Sequence, residues 1–203
     1  MVKKRIGVLA LQGDVREHSL AIQRVGALAT QVRRVDDLKS IDAIILPGGE
    51  STTISKLLRT FSLFEPLQRA ISGGMPVFGT CAGMILLAKE VIDGTDDQET
   101  LHCMDIAVRR NAFGRQVDSF ETELDLRNIG SGRTTAVFIR APWVETYGAK
   151  VEILASVSDT AGEHPVLARE GSMLASAFHP EILTALPAET TGVHDYFIRE
   201  VAS

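Results

Sequence analysis

The sequence predicts an α/β fold of three layers: a mostly parallel central sheet, helices on both faces, and antiparallel strands added in the second half. Three observations predict it. Short apolar runs alternate with helical patterns through residue 92, the signature of parallel strands joined by helical crossovers. From residue 104 onward the segments turn strand-like, with Gly, Asp and Ser between them. With 203 residues and 45% of them hydrophobic, the chain is long and apolar enough for one sizeable core, so residues 1–203 are expected to form a single domain.

Each element follows from local pattern. Residues 5–11 (RIGVLAL) read as a buried strand. Residues 16–26 read as a helix with Leu20, Ile22 and Val25 on its apolar side and a glycine at its end. Residues 29–35 form a second strand. A third, 42–49, is stopped by Pro47-Gly48-Gly49. Residues 52–61 and 65–74 are helical, 75–80 is a fourth strand, and 82–92 is a helix. Residues 93–100 form a loop. The later segments 104–113, 119–126, 134–143, 150–157, 165–170 and 172–179 are strands, with a hairpin turn at Glu170-Gly171, and 193–202 is the last helix.

Composition excludes several classes. The net charge is −5 and no dense basic block is present, which argues against nucleic-acid binding; Lys3-Lys4-Arg5 reads as a solvated strand start. No apolar run has the roughly 18 residues that a membrane span needs, and no cleavable signal pattern opens the chain. Two cysteines, Cys81 and Cys103, make no disulfide framework, so a reducing, cytoplasmic setting is expected. No metal-ligand spacing emerges, His102-x-Met104 included, and no cofactor is expected.

The chemistry gathers at strand ends. Gly79-Thr80-Cys81-Ala82-Gly83 places a potential nucleophile between two glycines at a strand-to-helix turn. The thiol would stand over a helix N-terminus, where free backbone N–H groups favour thiolate, and the Ala82 N–H could hold an oxyanion. These five residues alone suit a packed core cysteine equally well. A nucleophilic thiol needs a base and an orienter. Among five histidines, His179 lies at the end of a predicted strand, with Glu181 following after one proline. Gly48-Gly49 leave another strand end and could supply further N–H donors, while Ser51 reads as an N-cap. Cys103 is expected to be a buried strand residue, and Trp143 and Tyr147 to pack a loop.

Residues 79–83 (GTCAG) with 178–181 (FHPE) resemble the class I, or triad, glutamine amidotransferases, whose central domain is flavodoxin-like. The blocks ALQGDVREH (10–18), LPGGEST (46–52), RNAFGRQVDSFE (110–121) and FIRAP (138–142) narrow the resemblance to the glutaminase subunits of pyridoxal 5′-phosphate synthases, over nearly the whole chain. The resemblance implies hydrolysis of L-glutamine to L-glutamate and ammonia. It gives Cys81 as nucleophile, His179 as acid and base, and Glu181 as orienter. Backbone at Gly48, Gly49 and Ala82 would hold the oxyanion, and Gly49, Glu50, Ser51, Arg110, Ile139 and Arg140 would bind substrate. It implies a partner, a barrel-fold synthase subunit that receives the ammonia, with Gln12 as a relay to it. His18 is expected to pack or hydrogen-bond on the first helix.

Two other functions fit parts of the pattern. One is the glutaminase of another amidotransferase, such as imidazole glycerol phosphate synthase, against which the 110–121 block argues. The other is a non-catalytic redox-sensing module on the same fold. A sensor needs a reactive thiol but no His179-x-Glu181 pair.

Overall fold

A computed structural model describes residues 3–95, 97–113, 119–130, 132–160, 162–182 and 192–203. Residues 114–118 of the 110–121 block lie outside the described residues.

Four strands open the main sheet: β1 (Arg5–Leu9), β2 (Leu28–Val32), β3 (Ala43–Leu46) and β4 (Val77–Thr80). With β10 (Glu152–Asp159), β11 (Gly162–Glu170) and β12 (Met173–Ser176) they form a seven-stranded sheet in the order β10-β11-β12-β4-β3-β1-β2. From β12 to β2 every neighbouring pair is parallel; β11 is antiparallel to both its neighbours. Every residue of β3 and β4 is buried, as strands covered on both faces require.

The connections distribute the helices. The chain steps from β1 outward to β2, then back across the sheet through β3 to β4. Right-handed crossovers therefore put α1 (Val15–Arg24) on one face and α2 (Ser51–Thr60) and α3 (Phe64–Ser72) on the other. The last helix, α5 (Gly192–Tyr196) continued by a π turn (Phe197–Val201), packs on α1, and α4 (Ala82–Leu87) packs on α2. Two smaller sheets complete the second half. One is β5 (Ala88–Ile92), β6 (Met104–Arg109) and β9 (Trp143–Tyr147). The other is the hairpin β7 (Ser119–Asp125) with β8 (Arg133–Ile139).

Several expectations are corrected. The helix expected over 82–92 stops at Leu87, and 88–92 is strand β5, paired with β6. The reason is competition for carbonyls. Leu101 N–H donates to the Leu86 carbonyl (2.7 Å) and Cys103 N–H to that of Leu87 (3.1 Å), acceptors the next helical turn would need. All six α4 residues are buried, so the segment never had a solvent face to extend. In α1, Leu20 is exposed at 41%, while His18, Ala21 and Ile22 face the core. The strand expected over 134–143 breaks into β8 and β9 at Arg140, whose φ is +43°. The strand expected over 104–113 ends at Arg109 and turns at Asn111, φ +46°. Cys103 precedes β6 instead of lying in it and is half-buried. Trp143 lies within β9 and stacks on His164, ring centroids 3.7 Å apart, while Tyr147 is exposed. Lys4 is not merely solvated: its Nζ donates to the carbonyls of Ile198 (3.1 Å) and Ala202 (2.7 Å), capping the last helix with a cation.

Gly83 lets α4 approach the sheet. A Cβ there would lie 2.1 Å from the Leu46 carbonyl oxygen of β3. That neighbour is backbone and cannot yield cheaply. Gly83→Ala is expected to cost about 2 kcal/mol and to lower the melting temperature by about 4–8 °C, measured by thermal and denaturant unfolding.

Candidate active site

Cys81 sits between β4 and α4 with φ +49° and ψ −101°, a conformation costly for any side chain. Its surroundings enforce it. Cys81 N–H donates to the Ser176 carbonyl of β12 (2.7 Å), and Cys81 carbonyl accepts from Ile85 N–H (3.2 Å). A Cβ on Gly79 would meet the Gly83 carbonyl at 2.5 Å, so the sharp turn needs both flanking glycines. The thiol is 7% exposed and opens onto a cavity of about 440 Å³. Ala82 begins α4, so its N–H has no intrahelical acceptor, and it lines the same cavity.

His179 follows β12, where its N–H donates to the Val137 carbonyl of β8 (2.9 Å). Its Nδ1 lies 2.7 Å from Glu181 Oε1 and 3.5 Å from Asp14 Oδ2. Glu181 is fully buried and His179 is 4% exposed. Burial pulls the imidazole down, but hydrogen bonds with Asp14, Cys81 and Glu181, and the Glu181 charge, push it up to about 12. Burial pushes the Glu181 carboxyl up, opposed by the bond to His179. Both directions describe one proton held between the two groups. With Nδ1 engaged, Nε2 is the nitrogen left for the sulfur. Asp14, His179 and Glu181 bring three ligand atoms within 4.8 Å, a set that could hold a cation; in this geometry both carboxylates converge on the Nδ1 proton instead.

The Gly48-Gly49 loop is clasped by the loop after β1. A Cβ on Gly13 would meet the Gly48 carbonyl at 1.8 Å, and one on Gly48 would meet His179 Cε1 at 2.4 Å. Glu50 N–H donates to Gln12 Oε1 (2.8 Å). Gln12 thus ties the two loops together. Glu50, not Ser51, caps α2: its Oε2 accepts from Thr53 N–H (2.7 Å) and from the Thr52 and Thr53 hydroxyls. Burial acts against these bonds, which prevail and hold the carboxyl below its usual range. Ser51 opens α2 and donates from Oγ to Gln98 Oε1 (2.8 Å). Arg110 reaches Gln98 Oε1 (3.3 Å) and Glu50 Oε1 (3.4 Å). Ile139 and Arg140 close the far wall, with the Ile139 carbonyl 3.9 Å from Cys81 Sγ. Among the described residues Arg140 makes no ion pair.

The structure therefore brings together Gln12, Gly49, Glu50, Ser51, Cys81, Ala82, Arg110, Ile139, Arg140 and His179 around one cavity, with Gly48 against the imidazole and Glu181 behind it. Sequence reasoning missed Asp14, Asn111 and Gln98. Asp14 lay within the quoted 10–18 block, two residues after Gln12, and could have been singled out as a carboxylate; Gln98 sits in a loop with no signal of its own. His18, on the first helix, packs and hydrogen-bonds as expected, with Thr80 and His194 as its partners.

A raised imidazole pKa contributes stability fully present below the unfolded value of about 6.5 and lost only as pH climbs through about 12. His179 is therefore expected to stay protonated between about pH 5 and 9. Its ¹⁵N imidazole shifts should be flat there, and Asp14→Asn or Glu181→Gln should bring the midpoint down. A wild-type midpoint near neutrality would contradict the arrangement.

The model of the SNO glutamine amidotransferase family matches residues 8–203. A pyridoxal 5′-phosphate synthase subunit PdxT from Parafrankia sp. is 54% identical over all of this chain and 96% of its own length. The protein of the same description from Frankia alni is 57% identical over 88% of this chain and 87% of its own. A crystal structure of a glutamine amidotransferase superposes with TM-score 0.85 at 45% identity, covering 97% of this chain and 98% of the other. A chain of the PurLQS structure from Thermotoga maritima shares the fold at TM-score 0.66 and 16% identity, over 97% and 98% of the two chains. With its strand order, buried His–Glu pair and strained cysteine, this chain belongs to the SNO glutamine amidotransferase family.

Proposed function

We propose that this chain is the glutaminase subunit of a pyridoxal 5′-phosphate synthase, hydrolysing L-glutamine to L-glutamate and ammonia and passing the ammonia to a barrel-fold synthase subunit. Residues 1–203 act as one glutaminase unit. The observation that carries the reading is the series Cys81–His179–Glu181, with the sulfur opening onto the cavity and the carboxylate sealed behind the imidazole.

The chemistry follows from that series. Cys81 Sγ, its proton held by His179, adds to the side-chain amide carbon of glutamine. The oxyanion that forms meets the Ala82 N–H and the N–H groups of Gly48 and Gly49, Glu50 N–H being engaged by Gln12. His179 then gives its proton to the departing nitrogen, and ammonia leaves a thioester. His179 next takes a proton from water, which attacks the thioester and frees glutamate. Glu181 keeps the imidazole in one orientation and stabilises its charge throughout. The polar ends of the substrate have partners on the walls: Arg110 and Arg140 for the α-carboxylate, Glu50 and the Ile139 carbonyl for the α-ammonium.

The partner is supported by the subunit names of the relatives and by the chemistry, since water protonates free ammonia. Gln12 lies at the cavity mouth on the loop that sets the Gly48-Gly49 geometry, which suits a relay from a docked partner. Cys81 and Cys103 are free thiols, and no helix of the described residues is long and apolar enough to cross a membrane, which support a cytoplasmic enzyme.

With the synthase subunit present, Cys81→Ala is expected to lower glutamate release from glutamine by at least about 1,000-fold, measured against wild type with and without the partner. Equal release by both proteins would overturn the mechanism. Copurification with a barrel synthase of another pathway would redirect the assignment to a different amidotransferase.

A further inference from the structure

Behind Glu181, on the side away from the cavity, lies a second polar cluster with no part in the mechanism above. His18 of α1, Thr80 at the end of β4 and His194 of α5 are all 0% exposed. His18 Nε2 is 3.1 Å from Thr80 Oγ1 and 3.5 Å from Glu181 Oε1, the same oxygen that accepts from His179. His18 Nδ1 is 3.0 Å from His194 Nε2. His194 Nδ1 has no hydrogen-bond partner among the described residues, and its ring meets that of Phe78 in a T-shaped contact, centroids 5.6 Å apart.

The tautomers of this pair are not equivalent. If His18 Nδ1–H donated to His194, two penalties would follow. His194 would carry its own proton on Nδ1, an N–H buried without an acceptor, and His18 would aim a bare nitrogen lone pair at the Glu181 carboxylate. If His194 Nε2–H donates to His18, the orphan is a bare acceptor, the cheaper kind, and His18 Nε2–H donates to Thr80 Oγ1 with Glu181 Oε1 3.5 Å from the same nitrogen. Both rings are neutral in this arrangement. Burial, then the neighbouring His194 and His179, holds His18 well below its ordinary range, and burial takes His194 down to about 3.

We propose that His18, its tautomer set by His194, is a positioning residue that keeps the Glu181 carboxylate charged and so fixes the Nδ1 proton of His179. The groups facing Glu181 divide by sign. His179 Nδ1–H and the backbone N–H of Glu181 favour the carboxylate, while Asp14 and burial oppose it; a His18 Nε2–H placed 3.5 Å from Oε1 adds to the favourable side. Cys81 and His194 act one step further out, through His179 and His18. Without the His18 N–H the carboxyl gains its own proton more readily, the imidazolium loses its counter-charge, and the thiolate forms only at higher pH.

The inference rests on the glutaminase reading for its enzymatic arm, and a second arm is independent of it. The full chain, in a Cys103→Ser background, is alkylated with iodoacetamide across pH, and glutamate release by the complex with the synthase subunit is followed in parallel. His18→Leu is expected to move the acid limb of kcat/KM and of Cys81 alkylation up by about one pH unit, with KM little changed and alkylation at neutral pH slowed about tenfold. His18→Gln, which restores an N–H near Nε2, should recover most of the shift. His194→Phe should move both limbs the same way by less, and it carries the test if His18→Leu loses its fold. Unshifted alkylation limbs in folded variants, or a fall in kcat with an unchanged pH profile, would overturn the proposal. Absence of glutamate release by wild type would instead overturn the glutaminase reading, with the alkylation limbs still deciding the role of His18.

Discussion

One proton, shared over 2.7 Å between His179 Nδ1 and a carboxylate sealed from water, is the interaction on which the site depends. Placing a carboxylate in the interior is costly unless a charge or a donor meets it. Here the compensation comes from the imidazole, which is thereby locked in one orientation. The fold has to supply the rest. β12 must end so that His179 and Glu181 leave the sheet together, and β4 must end beside it so that the sulfur arrives at the other nitrogen. The parallel pairing of Ser176 with Thr80 sets that adjacency.

Close backbone approach is the second constraint. The loops after β1 and β3 interleave so tightly that side chains at Gly13 and Gly48 would collide with backbone or with the imidazole. Gln12 then spans the gap and takes the Glu50 N–H. The same loop carries Asp14 to within 3.5 Å of His179. A short segment after the first strand therefore touches both the Gly48-Gly49 loop and His179, and a change in its conformation would reach both at once.

In the proposed glutaminase, specificity and catalysis have different physical origins. Cys81 and the His179–Glu181 pair follow β4 and β12, neighbouring strands of the main sheet that are buried except at Met173. The cavity walls that would read the ends of a free amino acid come from turns of the second half, at Arg110-Asn111 and Ile139-Arg140, where backbone adopts positive φ at Asn111 and Arg140. Those turns end the strands β6 and β8. Arg110 is held by Gln98 and Glu50, whereas Arg140 is exposed, so the two cations meet an incoming carboxylate from different degrees of preorganisation.

Local pattern alone determined much of this molecule. The glycine-flanked Cys81, the His179-x-Glu181 exit, the glycine pair at 48–49 and the alternation of apolar runs are short-range features, and short-range sterics and periodicity suffice to read them. Other outcomes belong to contacts between residues far apart in the chain. The helix after Cys81 ends at Leu87 because Leu101 and Cys103 claim its carbonyls. Leu20 faces solvent while His18 faces the core because α5 arrives from the far end of the chain, 176 residues away, to partner that histidine. The amide Gln98 carries no local sign of its place, since only loop packing brings it against Ser51 and Arg110 of the cavity wall. Hydrogen bonds and burial of this kind are settled by which distant segments come together, and no window of neighbouring residues contains that information.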